Sequence, residues 1–545
     1  MRKLLITLTM IGVALVLKAQ PTFMKIWDNA TAGQGIRMIE LPSGSIMINL
    51  AYSRGVSIMN PQGGLLQSTH YWNSNLFGPR SFRRRSANEF VFATGYQTAD
   101  TCAVWSGITV FPAHAGIGVM DSTGQPSSIR YYDLGTSNCM NVPRSLELTA
   151  DGGTIIWGFD RTFYALKADE AGAPVWAKSF GFRGVGGSFG HDGSFQFIRE
   201  LPNGDLLAGI NMNEAGAVVA RMDADGNFIW CKSYIRPSGM VHDCIIESDD
   251  SIIIVGATDS IASTNTLIPL PPDYHPKLFM MKLNGMGEVQ WCRGYDCAPN
   301  RWYSRRASRI VRTNDGNYAI LANIGQENFN LEYRPLLMKT DINGDTLWTR
   351  SFGRNGARYA TSDLLQYSDG GLIFNGAAYG NIGPMGVGSA YFIYKTDSLG
   401  VLPCHNQYHP ITISELFPLD SAVTLTSTDG ATMYEVTFSD TTYAPITVYD
   451  GCTFTTGIPS INERKPPMRI RPNPNTGRFT LEVPDPLMAE SYYSVYDALG
   501  KLLYQRPLPA GATVEEIDLS RFGRGTYLIR LTDPEGSRHE RVVLE

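Results

Sequence analysis

The chain has 545 residues, a formal net charge of −5, 43% hydrophobic and only 18% charged residues. That length exceeds what one ordinary core accommodates, the apolar content excludes a disordered chain, and the acidic balance argues against nucleic acid or anionic membrane as the general partner. With 55 Gly, 26 Tyr and 24 Phe, the composition fits many short strands joined by tight turns, an all-β protein.

Residues 1–19 read as a signal peptide, with Arg2 and Lys3 as the charged start, an apolar run over 4–17 and the small Ala19 before the cut. No other run approaches the ~20 apolar residues of a membrane helix, so no transmembrane span is expected. Loss of Arg2, Lys3 and Lys18 with the leader makes the remainder more acidic still. All 8 cysteines follow it, in a compartment that permits bridges. Nearness pairs Cys102 with Cys139, Cys231 with Cys244, Cys292 with Cys297 and Cys404 with Cys452, with free buried thiols as the alternative.

Residues 20–404 repeat about every 50–60 residues. An apolar run ends in a Gly-containing turn, and a Trp follows four residues after the Gly: Gly172 and Trp176, Gly226 and Trp230, Gly287 and Trp291, Gly344 and Trp348. Upstream in each unit lies a second polar turn, at Gly44, Asn88, Gly152, Gly204, Asp250, Gly316 and Gly370, where positive φ angles are needed. Four short strands per unit and seven such turns predict a seven-bladed β-propeller, with six or eight blades as alternatives because two units are degenerate. Ser128 stands where one Trp is expected, and Cys404 where another is. Residues 23–27 resemble a fourth strand without its hairpin, so they are expected to pair with the last unit and remove an exposed edge. The repeated Trp reads as packing between units.

The 405–465 stretch lacks the unit's turns and reads as a β-rich connector ending in a Pro-containing linker. Residues 466–545 form a separate small sandwich with strands over 479–483, 493–496, 501–504, 527–531 and 538–544. Within it stand Pro472-Asn473-Pro474, Gly477, then Asp497, Gly500 and Lys501, then Gly525 and Tyr527, and an apolar terminal strand. In this order the motifs resemble the C-terminal sorting domain of Bacteroidetes type IX secretion cargo, of immunoglobulin-like fold. The resemblance implies partnership with the type IX machinery and a destination outside the cell or on the outer-membrane surface, reached through the periplasm.

Chemistry is expected on the long, variable loops between units. There Arg301, Trp302, Tyr303, Arg305 and Arg306 lie in one stretch and Arg354, Arg358 and Tyr359 in the next. Guanidinium forks match carboxylate and sulfate while rings stack on sugar faces, so these are the ligand candidates for an anionic glycan or a surface protein. The bland alternative is that the arginines pair with neighbouring carboxylates. His191-Asp192 and His242-Asp243 each stand just before a first strand in consecutive units and are candidates for the central channel. Turns at Asp223 and Asp341 have calcium-like spacing but lack the downstream Glu, and the Gly-rich 184–190 stretch has no helix after it to cradle phosphate. No Ser-His-Asp order or Gly-x-Ser-x-Gly elbow occurs, and no cofactor or metal is expected. Residues 149–157 resemble the Asp-box of sialidases with the Trp displaced by one place, and the motif does not recur. A secreted binding module is therefore the first expectation, with a sialidase-like glycan hydrolase or a structural envelope component as alternatives.

Overall fold

The computed structural model describes residues 20–545 apart from 29–36, 51–54, 73–77, 99–102, 106–107, 111–112, 135–141, 160–162, 182–193, 213–215, 235–238, 259–276, 298–301, 327–332, 382–386 and 451–467, with short breaks at 355, 403, 405, 419–420, 423–425, 430–431, 436–438, 443–447, 484–485, 487–490, 498–501 and 534–535. The described regular structure is all strand, and no helix among the described residues is long and apolar enough to cross a membrane. Two compact units result, Met1–Cys452 and Thr453–Glu545.

In the first unit the chain lays down antiparallel four-stranded meanders one after another. Sheet 5 is representative: Met240–Ile246, Ile252–Ala257, Leu278–Leu283 and Val289–Asp296 pair in sequence order. The second strand, Ile-Ile-Ile-Val-Gly-Ala, is buried at every position because apolar side chains cover both faces. Fourth strands alternate instead, as in Phe228–Ser233 of sheet 4, so they lie nearer the surface. Sheets 1 to 6 are built this way; sheet 7 has only Ala357–Gln366, Leu372–Asn381 and Val387–Thr396 from its own stretch, and Phe23–Asp28 supplies its fourth strand, with Phe23 opposite Lys395. The expected pairing of 23–27 with the last repeat is thus present. A single parallel bridge, Tyr333 to Arg358, joins sheets 6 and 7 into one ten-stranded sheet.

The turns before the fourth strands share one device. Asn60, Asp121, Asp223, Asn284, Asp341 and Asp397 each accept backbone N–H bonds two and four residues on, for example Asp223 Oδ1 from Asp225 at 3.0 Å and Asn227 at 2.8 Å. Asp169 makes the second of these bonds, to Ala173 at 2.8 Å. These are Asx turns, so the calcium-like carboxylates of Asp223 and Asp341 are taken up by their own backbone. Basic residues at the ends of third strands reach back to the upstream turn, Lys167 to Asp151 at 2.7 Å, Arg221 to Asp205 at 2.6 Å and Lys339 to Asp315 at 2.5 Å, which accounts for the basic residue at that position in sheets 3, 4 and 6.

Each Trp leans on the turn Gly of the next sheet. A methyl group at Gly400 would come within 2.6 Å of Trp348, and one at Gly287 within 2.8 Å of Trp230, while both glycines hold the positive φ that other residues resist. Trp176 also donates from Nε1 to the Ala224 carbonyl at 2.9 Å. In the degenerate second unit the place of Trp is filled by Arg130, packed on Gly172, and Phe23 does the same at Gly63 of sheet 1. Apolar clusters lie between successive sheets: Met47, Val56 and Ile58 against Phe82, Phe90 and Phe92 of sheet 2, for instance, and Ala319 and Leu321 against Phe374 and Phe392 of sheet 7. A further cluster brings Phe23, Trp27, Ile373 and Ile393 of sheet 7 onto Ile46, Ile48 and Met59 of sheet 1.

After Cys404 the chain does something the sequence reading did not anticipate. The strands expected as a connector are distributed over every sheet as a fifth strand beyond the fourth, in reverse order. Asn406–Tyr408 pairs with sheet 6, Thr412–Glu415 with sheet 5, Ser421–Ala422 with sheet 4, Thr426–Asp429 with sheet 3, Thr432–Glu435 with sheet 2, Ser439–Thr442 with sheet 1 and Val448–Asp450 with Phe23–Asp28 of sheet 7. This belt covers edges that would otherwise be open to other chains. Its short Thr- and Ser-rich strands suit an edge that is paired on one side only.

The cysteine pairing needs correction. Cys231, Cys244, Cys292 and Cys297 are buried thiols outside any disulfide. Cys231 faces the cluster between sheets 3 and 4, Cys244 and Cys292 the one between sheets 4 and 5, and Cys297 the one between sheets 5 and 6. Neither expected pair shares a packing layer. Burial pushes the Cys231 and Cys292 thiols up to about 12, so they pack as small hydrophobes. Cys404 is disulfide-bonded; Cys452, its expected partner, and Cys102 and Cys139 lie outside the described residues.

The belt carries one pH-sensitive contact. His409, 7% exposed, donates from Nε2 to the Cys297 carbonyl at 3.1 Å, and its own carbonyl accepts from Thr349 Oγ1. Burial lowers its pKa from 6.5 to about 4, against the opposing hydrogen bond to Cys297. A neutral imidazole is therefore favoured by folding, and its contribution, ~3 kcal/mol, is complete above the unfolded value and lost as pH falls through about 4. Denaturant midpoints should drop between pH 6.5 and 4, and His409→Gln should flatten that part of the profile. Parallel profiles for the two proteins would refute the assignment.

The second unit is a sandwich of a three-stranded sheet, Arg469–Arg471, Arg478–Glu482 and Val514–Asp518, and a four-stranded one, Leu502–Leu508, Ser491–Tyr496, Gly525–Asp533 and Gly536–Leu544. Leu481, Tyr493, Val495, Ile529, Leu531 and Val542 fill its core. Its predicted strands are all present in part or whole; Arg469–Arg471 and Val514–Asp518, rich in charge, carried too little apolar pattern to be seen.

Candidate functional site

The first strands of the seven sheets each bring one charged residue, in or just before the strand, to a shared line of ion pairs. In sheet order these are Arg37, just before Met38–Glu40; Arg83 in Ser81–Arg84; Glu147 in Pro143–Leu148; Arg199 in Ser194–Glu200; Asp243 in Met240–Ile246; Arg309 in Trp302–Arg312; and Asp363 in Ala357–Gln366. β-bulges interrupt five of these strands, at 143/145, 195/197, 241/243, 307/309 and 361/363, at or two residues before the charged residue. A bulge re-aims the side chains beside it, and here the result is a continuous chain of ion pairs across sheets.

Glu147 accepts from Arg83 at 3.3 Å and from Arg199 at 3.4 Å. Asp243 lies 2.9 Å from Arg199 and 3.1 Å from Arg309, and it also accepts the Ile310 N–H at 3.2 Å. Asp363 lies 2.7 Å from Arg309 and 3.1 Å from Arg37, and accepts the Met38 N–H at 2.8 Å. The Asp243 and Asp363 side chains are 2% and 4% exposed, so desolvation is severe and full pairing is what makes their burial tolerable. Burial alone would raise the Asp363 carboxyl; Arg309 and Arg37 outweigh it and hold it below its usual value. Burial would likewise lower Arg199, and Glu147 and Asp243 reverse the sign. Because Arg37 and Met38 belong to sheet 1 and Asp363 to sheet 7, this chain also ties the first sheet to the last, as do the Tyr367 hydroxyl on the Gly44 carbonyl and the Ser368 N–H on Glu40 at 2.8 Å.

Of the residues singled out from sequence, Asp243 is thus a link in the ion-pair chain, both carboxylate oxygens facing arginines. His242, buried beside it, is the bulged residue of its strand; His191 and Asp192 lie outside the described residues. No group of His, Cys, Asp and Glu that could hold a metal occurs among the described residues. Trp302, Tyr303, Arg305 and Arg306, expected on a loop, belong to the strand Trp302–Arg312, with Trp302 opposite Gln326 and Arg306 opposite Asn323; Arg301 is outside the described residues. That strand packs beside Ala357–Gln366, where Arg358 is exposed. Tyr359 points the other way. It is buried, 5.4 Å from Phe392 in edge contact, and its hydroxyl accepts the Arg354 N–H at 3.1 Å, so it belongs to the core. Arg83 and Arg85, also among the basic residues of the early loops, pair with Glu147 and Glu89, as the bland alternative expects.

The ion-pair chain itself was not anticipated. Its signal is present in the sequence as charges of alternating sign from Arg83 to Asp363 in successive first strands, but other charged residues share those strands and each taken singly looks like an ordinary surface charge.

In the second unit the Pro472 to Gly477 motif clamps the terminal strand. Asn473 donates from Nδ2 to the Arg541 carbonyl at 2.7 Å and accepts the Val543 N–H at 2.9 Å; the Asn475 N–H donates to the Val543 carbonyl at 3.0 Å, and the Glu545 N–H to that of Asn475 at 2.9 Å. Asn475 Oδ1 accepts the Gly477 N–H at 2.7 Å, and Gly477 has φ of 108°. Both prolyl bonds, before Pro472 and Pro474, are cis. Tyr527 donates to the Gly523 carbonyl at 2.6 Å, next to Gly525. Asp497 follows the strand Ser491–Tyr496, while Gly500 and Lys501 lie outside the described residues.

Comparison with known proteins agrees with this second unit. No curated protein matches the sequence. Among solved structures, the chain is similar to a protein of unknown function from Bacteroides caccae (11% identity, 60% of this chain and 93% of that chain covered, TM-score 0.35). It is similar also to one from Dyadobacter fermentans (10%, 70% and 96%, 0.32) and to a luciferin-regenerating enzyme (9%, 69% and 98%, 0.33). Likeness at that level says nothing about activity. Residues 469–545 match the family model of the secretion system C-terminal sorting domain. With the motif order and the clamp it builds, this makes the chain a cargo protein of type IX secretion, exported to the cell surface or beyond it.

Proposed function

We propose that the first unit is a closed seven-bladed β-propeller cinched by the belt, and that outside the cell it binds an anionic glycan. Closure is supported by the shared core of sheets 7 and 1 and by the Arg37 to Asp363 pair. The observation that carries the ligand reading is a basic seam built from two sequence runs without acids, of whose arginines Arg309 is held by Asp243 and Asp363 and Arg312 by Glu247. Residues 297–314 contain five Arg and no Asp or Glu, residues 346–362 three Arg and no acid, and the two first strands that hold most of them pack side by side. Within it Trp302, Tyr303, Arg305, Arg306, Arg354 and Arg358 are the residues assigned to the ligand. A binding role is favoured over glycoside hydrolysis because Glu147, Asp243 and Asp363 are all bridged by arginines, whereas hydrolysis needs a pair of carboxyls free to act as acid and base or nucleophile.

The test is a glycan array probed with the exported protein and with a Trp302→Ala, Arg305→Ala double variant. Wild type should retain sulfated or uronate-containing glycans and release them as salt rises, exposed charges being screened over roughly 10 Å at 0.1 M. The variant should bind at least about tenfold more weakly. Identical profiles would remove this surface from the account, and turnover of an arrayed glycan would favour the hydrolase.

A further inference from the structure

Charges of alternating sign cannot close on an odd number of sheets without one like-charged junction. In the chain Arg83, Glu147, Arg199, Asp243, Arg309, Asp363, Arg37, every carboxylate bridges two guanidiniums. The ends of the chain are both arginines, on sheets 1 and 2, which adjoin through the Met47, Val56 and Phe82 cluster and through Asn49 Nδ2 donating to the Pro79 carbonyl at 2.5 Å. Among the described residues four guanidiniums thus face three carboxylates, and the junction without a carboxylate between its arginines is the one of Arg37 and Arg83.

The surrounding sequence supplies no fourth acid. From 29 to 88 the only Asp or Glu is Glu40, against six arginines, and the Glu40 carboxylate accepts the Ser368 N–H. Arg37 gives Asp363 a single nitrogen, at 3.1 Å. The Arg37 and Arg83 side chains keep 17% and 23% exposure, like the 16% and 15% of the bridged Arg199 and Arg309, so solvent reaches the guanidiniums along the whole chain and hardly touches the aspartates, at 2% to 4%. We propose that the Arg37 and Arg83 junction is a binding site for the carboxylate of a small organic acid or sugar acid, which completes the chain as Glu147, Asp243 and Asp363 do elsewhere. A planar carboxylate matches the guanidinium fork and can face two of them at once. Burial first, then Arg309, and also Arg83, pull Arg37 down to about 9, with Asp363 opposing; since arginine keeps its proton in proteins, a counter-anion is the remaining relief.

This site rests on the closed arrangement proposed above and not on the seam at Trp302. Sodium acetate, titrated into the exported protein at constant ionic strength set with an indifferent salt, should raise the thermal midpoint saturably, and neutral acetamide should not. Arg37→Gln should weaken the acetate response at least about tenfold, the loss expected of a charged hydrogen bond. Arg37→Lys should retain part of it, and Trp302→Ala with Arg305→Ala all of it. Absence of any acetate response in the wild type would overturn the site, whatever the variants do, as would equal responses in wild type and Arg37→Gln. If that happens while Arg37 and Asp363 remain energetically coupled, the closed arrangement stands and the site alone falls.

Discussion

Removing residues 469–545 should leave the protein in the periplasm with none at the surface. The sorting unit has its own core of Leu481, Tyr493, Val495 and Val542, and it carries the export address. The Asn473 and Asn475 clamp on residues 541–545 fixes the terminal strand of that unit. Fractionation of cells carrying the truncated chain checks this, and surface display at the normal level would contradict it.

Asp243→Ala should be the most damaging single substitution in the first unit, at ~3–5 kcal/mol. It strands two largely buried guanidiniums, Arg199 and Arg309, and an inner N–H, that of Ile310. The loss exceeds that of an exposed pair such as Arg293 with Glu415, whose carboxylate is 63% exposed and which is expected to contribute under about 1 kcal/mol. Urea titration of Asp243→Ala and Glu415→Ala makes the comparison. Equal, small shifts would mean that the chain of ion pairs is solvated and structurally idle.

Much of the strand architecture was legible because its causes are local. Turn glycines at 172, 226, 287 and 344 need positive φ, their Asx residues close the turns, and the Trp four residues later packs on the next glycine, so period and spacing are written within each repeat. The 23–27 strand was legible for the same reason, since it has the fourth-strand pattern without a hairpin. The belt was not. Its strands are two to four residues long, too short for periodicity to register, and their partners lie tens to hundreds of residues away. The thiol pairs at 231/244 and 292/297 misled because nearness along the chain says nothing about which side of a sheet a side chain faces. At the seam, Tyr359 carried the same composition signal as Trp302, yet strand alternation turns it inward while Arg358 faces out.

Closure of the seven sheets is tested most directly by a double-mutant cycle between Arg37 and Asp363, 326 residues apart in the chain and 3.1 Å apart in space. Arg37→Gln, Asp363→Asn and the double variant would be unfolded in urea alongside the wild type. The closed arrangement predicts a coupling of roughly 1–3 kcal/mol, as for residues sharing one ion-pair network. Additive effects, within about 0.3 kcal/mol, would mean that the first and last sheets do not meet, and would contradict the propeller.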